Sequence, residues 1–349
     1  MADSVRSMDT RVKRGAGRVP PPGITAMVPC YNEIACVERA YREIRAELAR
    51  YDDVELLFID DGSTDGTLEA IKGFAAEDPQ VKYISFARNF GLEAAFSAGF
   101  KYASKPWTVQ FDADLQSPPH EMHRLVDKAL EGYDVVFAVR ENRQDPWHRR
   151  LGTWAHQTIA RRWLGIELPQ GASVFRIVRT SVAHKVVDSR LSTPYFIATA
   201  PLLGARYTTL PTTHQPRLDG QGKWNLRKLF SHAVELFFGF SFRPLTSLIG
   251  LSAVTMAAGT AVFALALAGG LGTAAVELAG LVAVLVTLAL LMVIARYLVR
   301  VMRVQAIGVP RYQIREANIP IRAQEALYGY ETPDVSGHFR EPEVWEDAS

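Results

Sequence analysis

The sequence predicts an α/β fold, a mainly parallel sheet covered on both faces, followed by a hairpin of two membrane-spanning helices. Three observations predict it. From residue 24, short apolar runs alternate with amphipathic stretches of helix length. The apolar runs are too continuous to leave one face in water, as strands of a parallel sheet are. Between Arg243 and Glu277 no residue is charged, a stretch long enough to cross a bilayer.

Ile24–Pro29 reads as the first strand, and Ala35–Arg50 as a helix with Ala40, Ile44 and Leu48 on its apolar face. Val54–Asp60 is a second, mainly apolar strand running into the turn Asp61-Gly62-Ser63-Thr64-Asp65-Gly66 and a short helix. Val81–Phe86 is the third strand, Leu92–Ala103 a helix rich in small residues, and Trp107–Asp114 the fourth strand. Pro118-Pro119 opens a helix to Glu131, and Asp134–Arg140 is the fifth strand. Beyond residue 145 the pattern loosens. Trp147–Leu164 reads as a basic amphipathic helix, Ser173–Arg179 as a strand, Phe196–Leu203 as a helix and Arg206–His214 as a strand.

Trp224–Phe242 places Leu226, Leu229, Phe230, Ala233, Phe237 and Phe238 at helical spacing, with Arg227, Lys228, His232 and Glu235 mostly between them. That is the pattern of a helix lying in a membrane interface. The first span follows Arg243; the second, Leu278–Ala295, follows a Gly/Ala linker without Lys or Arg and is followed by Arg296, Arg300 and Arg303. The positive-inside rule therefore puts both flanks in the cytosol. The expected organisation is a flexible basic tail (1–22), a catalytic α/β domain (23–223), an interfacial helix (224–243), two transmembrane helices (244–300) and a cytosolic tail (301–349). Within that last tail, Pro310–Arg315 reads as an edge strand without an evident partner in its own sheet, so it could add to a neighbouring chain.

The net charge of +2 gives no electrostatic argument for nucleic acid. Cys30 and Cys36 are too few for a zinc site or a disulfide framework, which fits a reducing compartment. Residues 1–22 lack the apolar core of a signal peptide. No Gly-x-Gly-x-x-Gly follows the first strand and no P-loop is present. His120, His123, His148 and His156 are scattered, and read as surface or helix histidines rather than metal ligands.

Three polar clusters end the first, second and fourth strands on one sheet edge, where open α/β folds bind ligands. They are Pro29-Cys30-Tyr31-Asn32-Glu33, Asp60-Asp61-Gly62-Ser63 and Asp112-Ala113-Asp114-Leu115-Gln116. Two carboxylates followed by an amide oxygen are hard ligands for Mg²⁺ or Mn²⁺, which can in turn grip a diphosphate. A turn whose aspartates cap the next helix is the alternative. Jointly the clusters suit a nucleoside diphosphate.

Pro-x-Tyr-Asn-Glu, Asp-Asp-Gly-Ser-Thr-Asp-Gly-Thr, Arg88-Asn89-Phe90-Gly91 and Asp-Ala-Asp-Leu-Gln-x-Pro-Pro together resemble a family 2 glycosyltransferase with the Rossmann-like GT-A fold. The likeness continues through Gly132–Val136, Val139–Asp145 and Arg217-x-x-Gly220-x-x-Lys223-Trp224. With the hairpin, this longer pattern is similar to the polyprenyl-phosphate glycosyltransferases, among them the undecaprenyl-phosphate aminoarabinose and glucosyl transferases and dolichyl-phosphate mannose synthase.

The resemblance implies that Pro29, Tyr31, Glu33, Ile59, Asp61, Ala113 and Lys223 hold the nucleotide. It implies Asp112, Asp114 and Gln116 as metal ligands, and Arg217 with Lys223 on the donor diphosphate. Arg140, with Arg143, Arg149 or Arg150, would take the acceptor phosphate, so that Asp112, Asp114, Arg140 and Arg217 carry the catalysis. The implied partners are a nucleotide sugar, a polyprenyl phosphate and the membrane, with a homo-oligomer also favoured. The implied setting is the cytoplasmic (inner) membrane, multi-pass, with the catalytic domain on the cytosolic side. The chain departs from the pattern at Gly222, where Ser is usual, and around Ser173–Arg176, where an acidic residue is common. A processive polysaccharide synthase is the enzymatic alternative; Arg161-Arg162-Trp163 resembles part of its motif, with Gln157 one residue out of place. An inactive nucleotide-sugar-binding scaffold is the non-enzymatic one.

Overall fold

The computed structural model describes residues 22–140, 158–163, 169, 171–189, 195–213, 215, 243–268, 273–306 and 311–327. The basic tail, the interfacial stretch Trp224–Phe242, most of Trp147–Leu164 and the site candidates Arg143, Arg149, Arg150, Arg217 and Lys223 lie outside these residues.

Strands β1 (Ile24–Cys30), β2 (Val54–Asp60), β3 (Val81–Phe86), β4 (Trp107–Gln110), β5 (Val135–Arg140), β6 (Ala172–Arg179), β7 (Tyr207–Thr212) and β8 (Ile314–Ala317) form one sheet. Its order is β7-β5-β6-β4-β1-β2-β3-β8. β1, β2, β3, β4, β5 and β7 run one way, while β6 and β8 run against them. Helices α1 (Ile34–Leu48), α2 (Thr67–Glu77) and α4 (Met122–Leu130) bury one face of the sheet. Helices α3 (Leu92–Tyr102), α5 (Thr180–Asp188) and α6 (Phe196–Leu202) bury the other. Covered on both sides, β2 is buried at every residue, which is why it reads as a mainly apolar run with Glu55 as its one internal polar residue. α3 lies close to the sheet because of Gly99, where a Cβ would meet Met27 Sδ at 1.9 Å.

The chain order reverses at β1, with β2 and β3 on one side and β4 on the other. Such a reversal splays the connections apart and opens a crevice at the carboxyl ends of the strands.

Two expectations are corrected. The fourth strand ends at Gln110, not Asp114. Its neighbours stop there: β1 pairs with it only as far as Met27↔Gln110 and β6 begins at Arg176↔Gln110. Without ladder partners the chain turns, the Leu115 amide donating to the Asp112 carbonyl at 3.0 Å. Between β4 and β5, which follow one another in the chain, the sheet inserts β6 antiparallel. The C-terminal strand is shifted to Ile314–Ala317 and pairs with β3 of its own chain. Asn318 fixes it, donating to the Val81 carbonyl at 3.0 Å and accepting the Tyr83 amide at 2.7 Å. Glu325 adds a second anchor, accepting from Tyr102 Oη at 2.8 Å and Tyr312 Oη at 3.0 Å and pairing with Lys101. The strand therefore gives no reason to invoke a neighbouring chain.

Between β7 and β8 run α7 (Arg243–Leu267) and α8 (Thr273–Ala306), which contain two segments long and apolar enough to cross a membrane, Arg243–Leu267 and Val276–Val299. Their apolar side chains are largely exposed, Leu267 and Met292 among the most. The two helices pack through small residues: Thr255 Oγ1 lies 3.0 Å from Thr287 Oγ1, and a Cβ on Gly259 would stand 3.0 Å from Ala283 Cβ. Close approach at small residues is how helices associate in lipid, where apolar burial gives no drive.

Candidate active site at the carboxyl edge of the sheet

The β1–α1 and β2–α2 loops meet at this edge. Asn32 adopts φ 53°, a left-handed conformation that Asn tolerates. Its amide donates to Ser63 Oγ at 3.0 Å, and its Oδ1 accepts the Thr64 amide at 2.9 Å. The Glu33 amide donates to Thr67 Oγ1 at 3.0 Å and the Ile34 amide to Asp65 Oδ2 at 3.1 Å. The first-turn amides of α1 thus find acceptors on the neighbouring loop. Burial raises the Asp65 carboxyl, but the bonds from Thr67 and Ile34 outweigh it and hold it below its ordinary range.

Asp60 and Asp61 serve the same scaffold. Fully buried Asp60 accepts from Ser85 Oγ at 2.7 Å and from the Ser63 amide at 3.1 Å. Asp61 accepts the Phe90 amide at 2.7 Å on one oxygen and the Gly91 amide at 2.9 Å on the other. It thereby pins the Arg88-Asn89-Phe90-Gly91 loop. Burial pushes its carboxyl up to about 6 against the pull of those two bonds. Gly62, at φ +70°, passes so near this loop that a Cβ would meet the Arg88 carbonyl carbon at 2.5 Å.

The turn after β4 differs. Phe111, Ala113 and Leu115 are buried, while Asp112, Asp114 and Gln116 between them are half-buried. Leu115 takes φ 52°, and the Gln116 amide donates to Asp114 Oδ1 at 3.3 Å. The alternation puts two carboxylates and an amide oxygen on the open side of one turn, a hard-ligand set that fits a divalent cation. Among the described residues no three His, Cys, Asp or Glu side chains cluster, so only two carboxylates and a neutral oxygen come together here.

Arg140 ends β5 and is exposed; its Nη2 stands 3.5 Å from Gln116 Oε1, at the limit of a hydrogen bond. Despite the intervening β6, it reaches the turn. Tyr31 is 37% exposed, and Pro29 and Glu33 are half-buried. Ile59 is different: its side chain is fully buried and lies against Gly99. Only its backbone remains to face a ligand. Ala113 is buried in the core layer beneath the turn. His123 stands at the α1–α4 contact, Nδ1 2.8 Å from Tyr51 Oη and Nε2 2.7 Å from Glu47.

Two groups near the site escaped sequence reasoning. Arg176 is buried in β6, donating from Nε (3.0 Å) and Nη2 (2.7 Å) to Gln110 Oε1 while its guanidinium lies 4.4 Å from the centre of the Phe196 ring. Burial draws it down to about 10, opposed by Glu93, Tyr195 and Asp112, so it is charged at neutral pH. An arginine inside the apolar run Phe175–Val178 was the available signal. The second is Glu121, buried behind the turn and bonded to Thr213.

The chain thus joins an α/β sheet with a carboxylate turn at its switch point to two helices long and apolar enough to cross a membrane. Residues 25–187 match the Glycosyl transferase family 2 profile. An uncharacterized glycosyltransferase of Synechocystis is 33% identical over 224 residues, 64% of this chain and 70% of that protein. The undecaprenyl-phosphate 4-deoxy-4-formamido-L-arabinose transferase of Aeromonas hydrophila is 30% identical over 224 residues, 64% and 69% of the two chains. A solved mannosyltransferase from Pyrobaculum calidifontis, in complex with GDP-Man and Mn²⁺, is 18% identical with a TM-score of 0.45, covering 82% of this chain and 88% of its own. The chain belongs to glycosyl transferase family 2 and is a glycosyltransferase.

Proposed function

We propose that the protein transfers a single sugar from a nucleoside diphosphate sugar, UDP-linked by preference, to a polyprenyl phosphate such as undecaprenyl phosphate. The enzyme works on the cytosolic leaflet of the cytoplasmic membrane. The observation that carries this reading is the joining of the two substrates' requirements in one chain: a carboxylate turn beside Arg140 at the switch point, and an exposed apolar helix pair inserted between β7 and β8 of the same sheet. The Aeromonas relative, named for undecaprenyl phosphate, supports the acceptor class.

Tyr31 and Glu33 would receive the base and ribose beside the turn. Asp112, Asp114 and Gln116 would hold Mg²⁺ or Mn²⁺, which when bound supplies charge neutralisation for the departing diphosphate. The acceptor is a phosphate monoester, already anionic at neutral pH, so no general base is required. One of its oxygens attacks the anomeric carbon as the bond from that carbon to the diphosphate breaks. The electron pair leaves with the nucleoside diphosphate, and the anomeric configuration inverts. Arg140 is suited to hold the attacking phosphate, since guanidinium grips phosphate through two parallel hydrogen bonds.

Purified protein in bilayers, given undecaprenyl phosphate and a panel of nucleotide sugars, should form a lipid-linked monosaccharide with one donor. A polymer would identify a processive synthase. Donor binding without transfer or hydrolysis would identify a scaffold. Arg140→Ala should raise the KM for polyprenyl phosphate or collapse transfer while changing donor affinity much less; equal loss of donor binding would put Arg140 on the diphosphate.

A further inference from the structure

Glu121 is 3% exposed, an unusual place for a carboxylate at the start of a surface helix. Its partners explain the burial. Oε1 accepts the Thr213 amide at 3.3 Å and the Thr213 hydroxyl at 2.9 Å, while Oε2 accepts from Arg124 at 2.7 Å. Burial works to raise its carboxyl, but the Thr213 and Arg124 bonds outweigh it and keep the group ionised below its ordinary value. Thr213 is the first residue beyond β7, whose pairing with β5 ends at Arg140↔Thr212. Its amide has run out of ladder and finds Glu121 instead. Two residues on, the Gln215 amide donates at 2.8 Å to the Gln116 carbonyl, on the carboxylate turn itself. The chain leaving β7 is thus held at two successive points, by the turn and by the first residues of the helix that follows it.

We propose that Glu121 is a positioning residue for donor binding. It latches the exit of β7 behind the Asp112–Gln116 turn and, together with the Gln215–Gln116 bond, holds that turn, and with it the proposed donor site, in one position. This rests on the donor reading given above. A cap that merely stabilises α4 would need only Arg124. Bonding both the amide and the hydroxyl of a residue 92 positions away ties two ends of the site together.

The test uses the full chain in detergent or nanodiscs, with UDP and GDP plus Mn²⁺ as probes. Amide exchange at Thr213 and Gln215 reads the latch directly; nucleotide affinity, KM for each substrate and melting temperature read its consequence. Thr213→Val and Glu121→Ala should speed exchange at both amides and weaken nucleotide binding about tenfold, the worth of roughly one charge-assisted bond. The acceptor KM should stay unchanged. Glu121→Gln, which keeps an acceptor oxygen, should recover part of the affinity. Unaltered exchange in folded variants overturns the latch. Faster exchange with unchanged nucleotide affinity overturns its role in donor binding, as does equal damage to both substrates. Wild-type protein that binds neither nucleotide overturns the donor reading instead, and the exchange result still decides whether Glu121 holds the segment.

Discussion

Two aspartate-bearing loops leave the same edge of the sheet and have opposite fates. In the β2–α2 loop, Asp60 is fully buried and Asp61 is 4% exposed, and the oxygens of both accept the protein's own hydroxyls and amides. In the turn after β4, Asp112 and Asp114 remain half-buried, alternating with residues that face the core. The same side chain is a scaffold bolt in one loop and, on the proposed reading, a metal ligand in the other. What separates them in the structure is depth of burial. The β2–α2 loop is hemmed in by β3's exit loop and the β1–α1 loop, whereas the β4 turn sits at the switch point, where neighbouring connections diverge.

Asp114→Ala tests the ligand side and should have the largest effect. Transfer should fall by more than about 100-fold, exceeding what is lost when only a ligand's supporting partner is removed. Stability should move by less than about 1 kcal/mol, as for a surface change. Activity comes from a transfer assay and stability from urea denaturation. Turnover at the wild-type rate in EDTA would remove the metal from the reading altogether.

Asp60→Ala tests the other side. It strands the Ser85 hydroxyl and the Ser63 amide near the core, costing about 2–4 kcal/mol for the buried groups together. A large drop in melting temperature should accompany whatever activity is lost. Lost activity with an unchanged melting temperature would make Asp60 a ligand and erase the contrast between the loops.

Much of this was legible from residues alone. The runs Ile24–Cys30, Val54–Asp60 and Val81–Phe86 announced their strands because burial on both faces leaves few polar positions. The carboxylate turn was legible because hard ligands at a strand's end have few structural uses. Pairing was not legible. Nothing local to Ala172–Arg179 says that it runs antiparallel between β4 and β5, and nothing local to Ile314–Ala317 names β3 as its partner. Strand length failed for the same reason: Trp107–Asp114 has strand character throughout, but ladder partners end at Gln110. Ile59 and Asp61 share one motif, yet only the packing reveals that the first faces Gly99 and the second the Phe90–Gly91 amides. Glu121 and Arg176 were hidden because their meaning depends on distant residues, Thr213 and Gln110.

Asp61 adds a pH signature of its own. Its folded carboxyl keeps a proton up to about 6, whereas the unfolded chain releases it near the ordinary 3.8. Between those values the folded state binds more protons, so this group's contribution to stability falls as pH rises from about 4 to about 6. The drop is at most about 3 kcal/mol. Denaturation of wild type and Asp61→Asn at pH 4, 5 and 7 isolates it: the variant should lack that descending component. A wild-type advantage that instead grows with pH would mean that the Phe90 and Gly91 bonds dominate over burial.

The smallest effect is expected at Ser63, and it tests whether the β2–α2 loop is scaffold throughout. Ser63 joins the two sides of the edge through one neutral bond, from the Asn32 amide at 3.0 Å. Ser63→Ala removes that acceptor from a partly exposed position where water can replace it, so stability should fall by only about 0.5–1.5 kcal/mol. Asn32 keeps its left-handed conformation through the Thr64 amide, which still donates to its Oδ1 at 2.9 Å. The β1–α1 loop should therefore hold its course, and with it Tyr31 and Glu33. Donor KM should rise no more than about twofold and kcat should not move, because no charge near the reacting bond changes. A tenfold fall in kcat from the loss of this one hydroxyl would place Ser63 among the groups that touch substrate, and the loop of bolts would then contain a ligand after all.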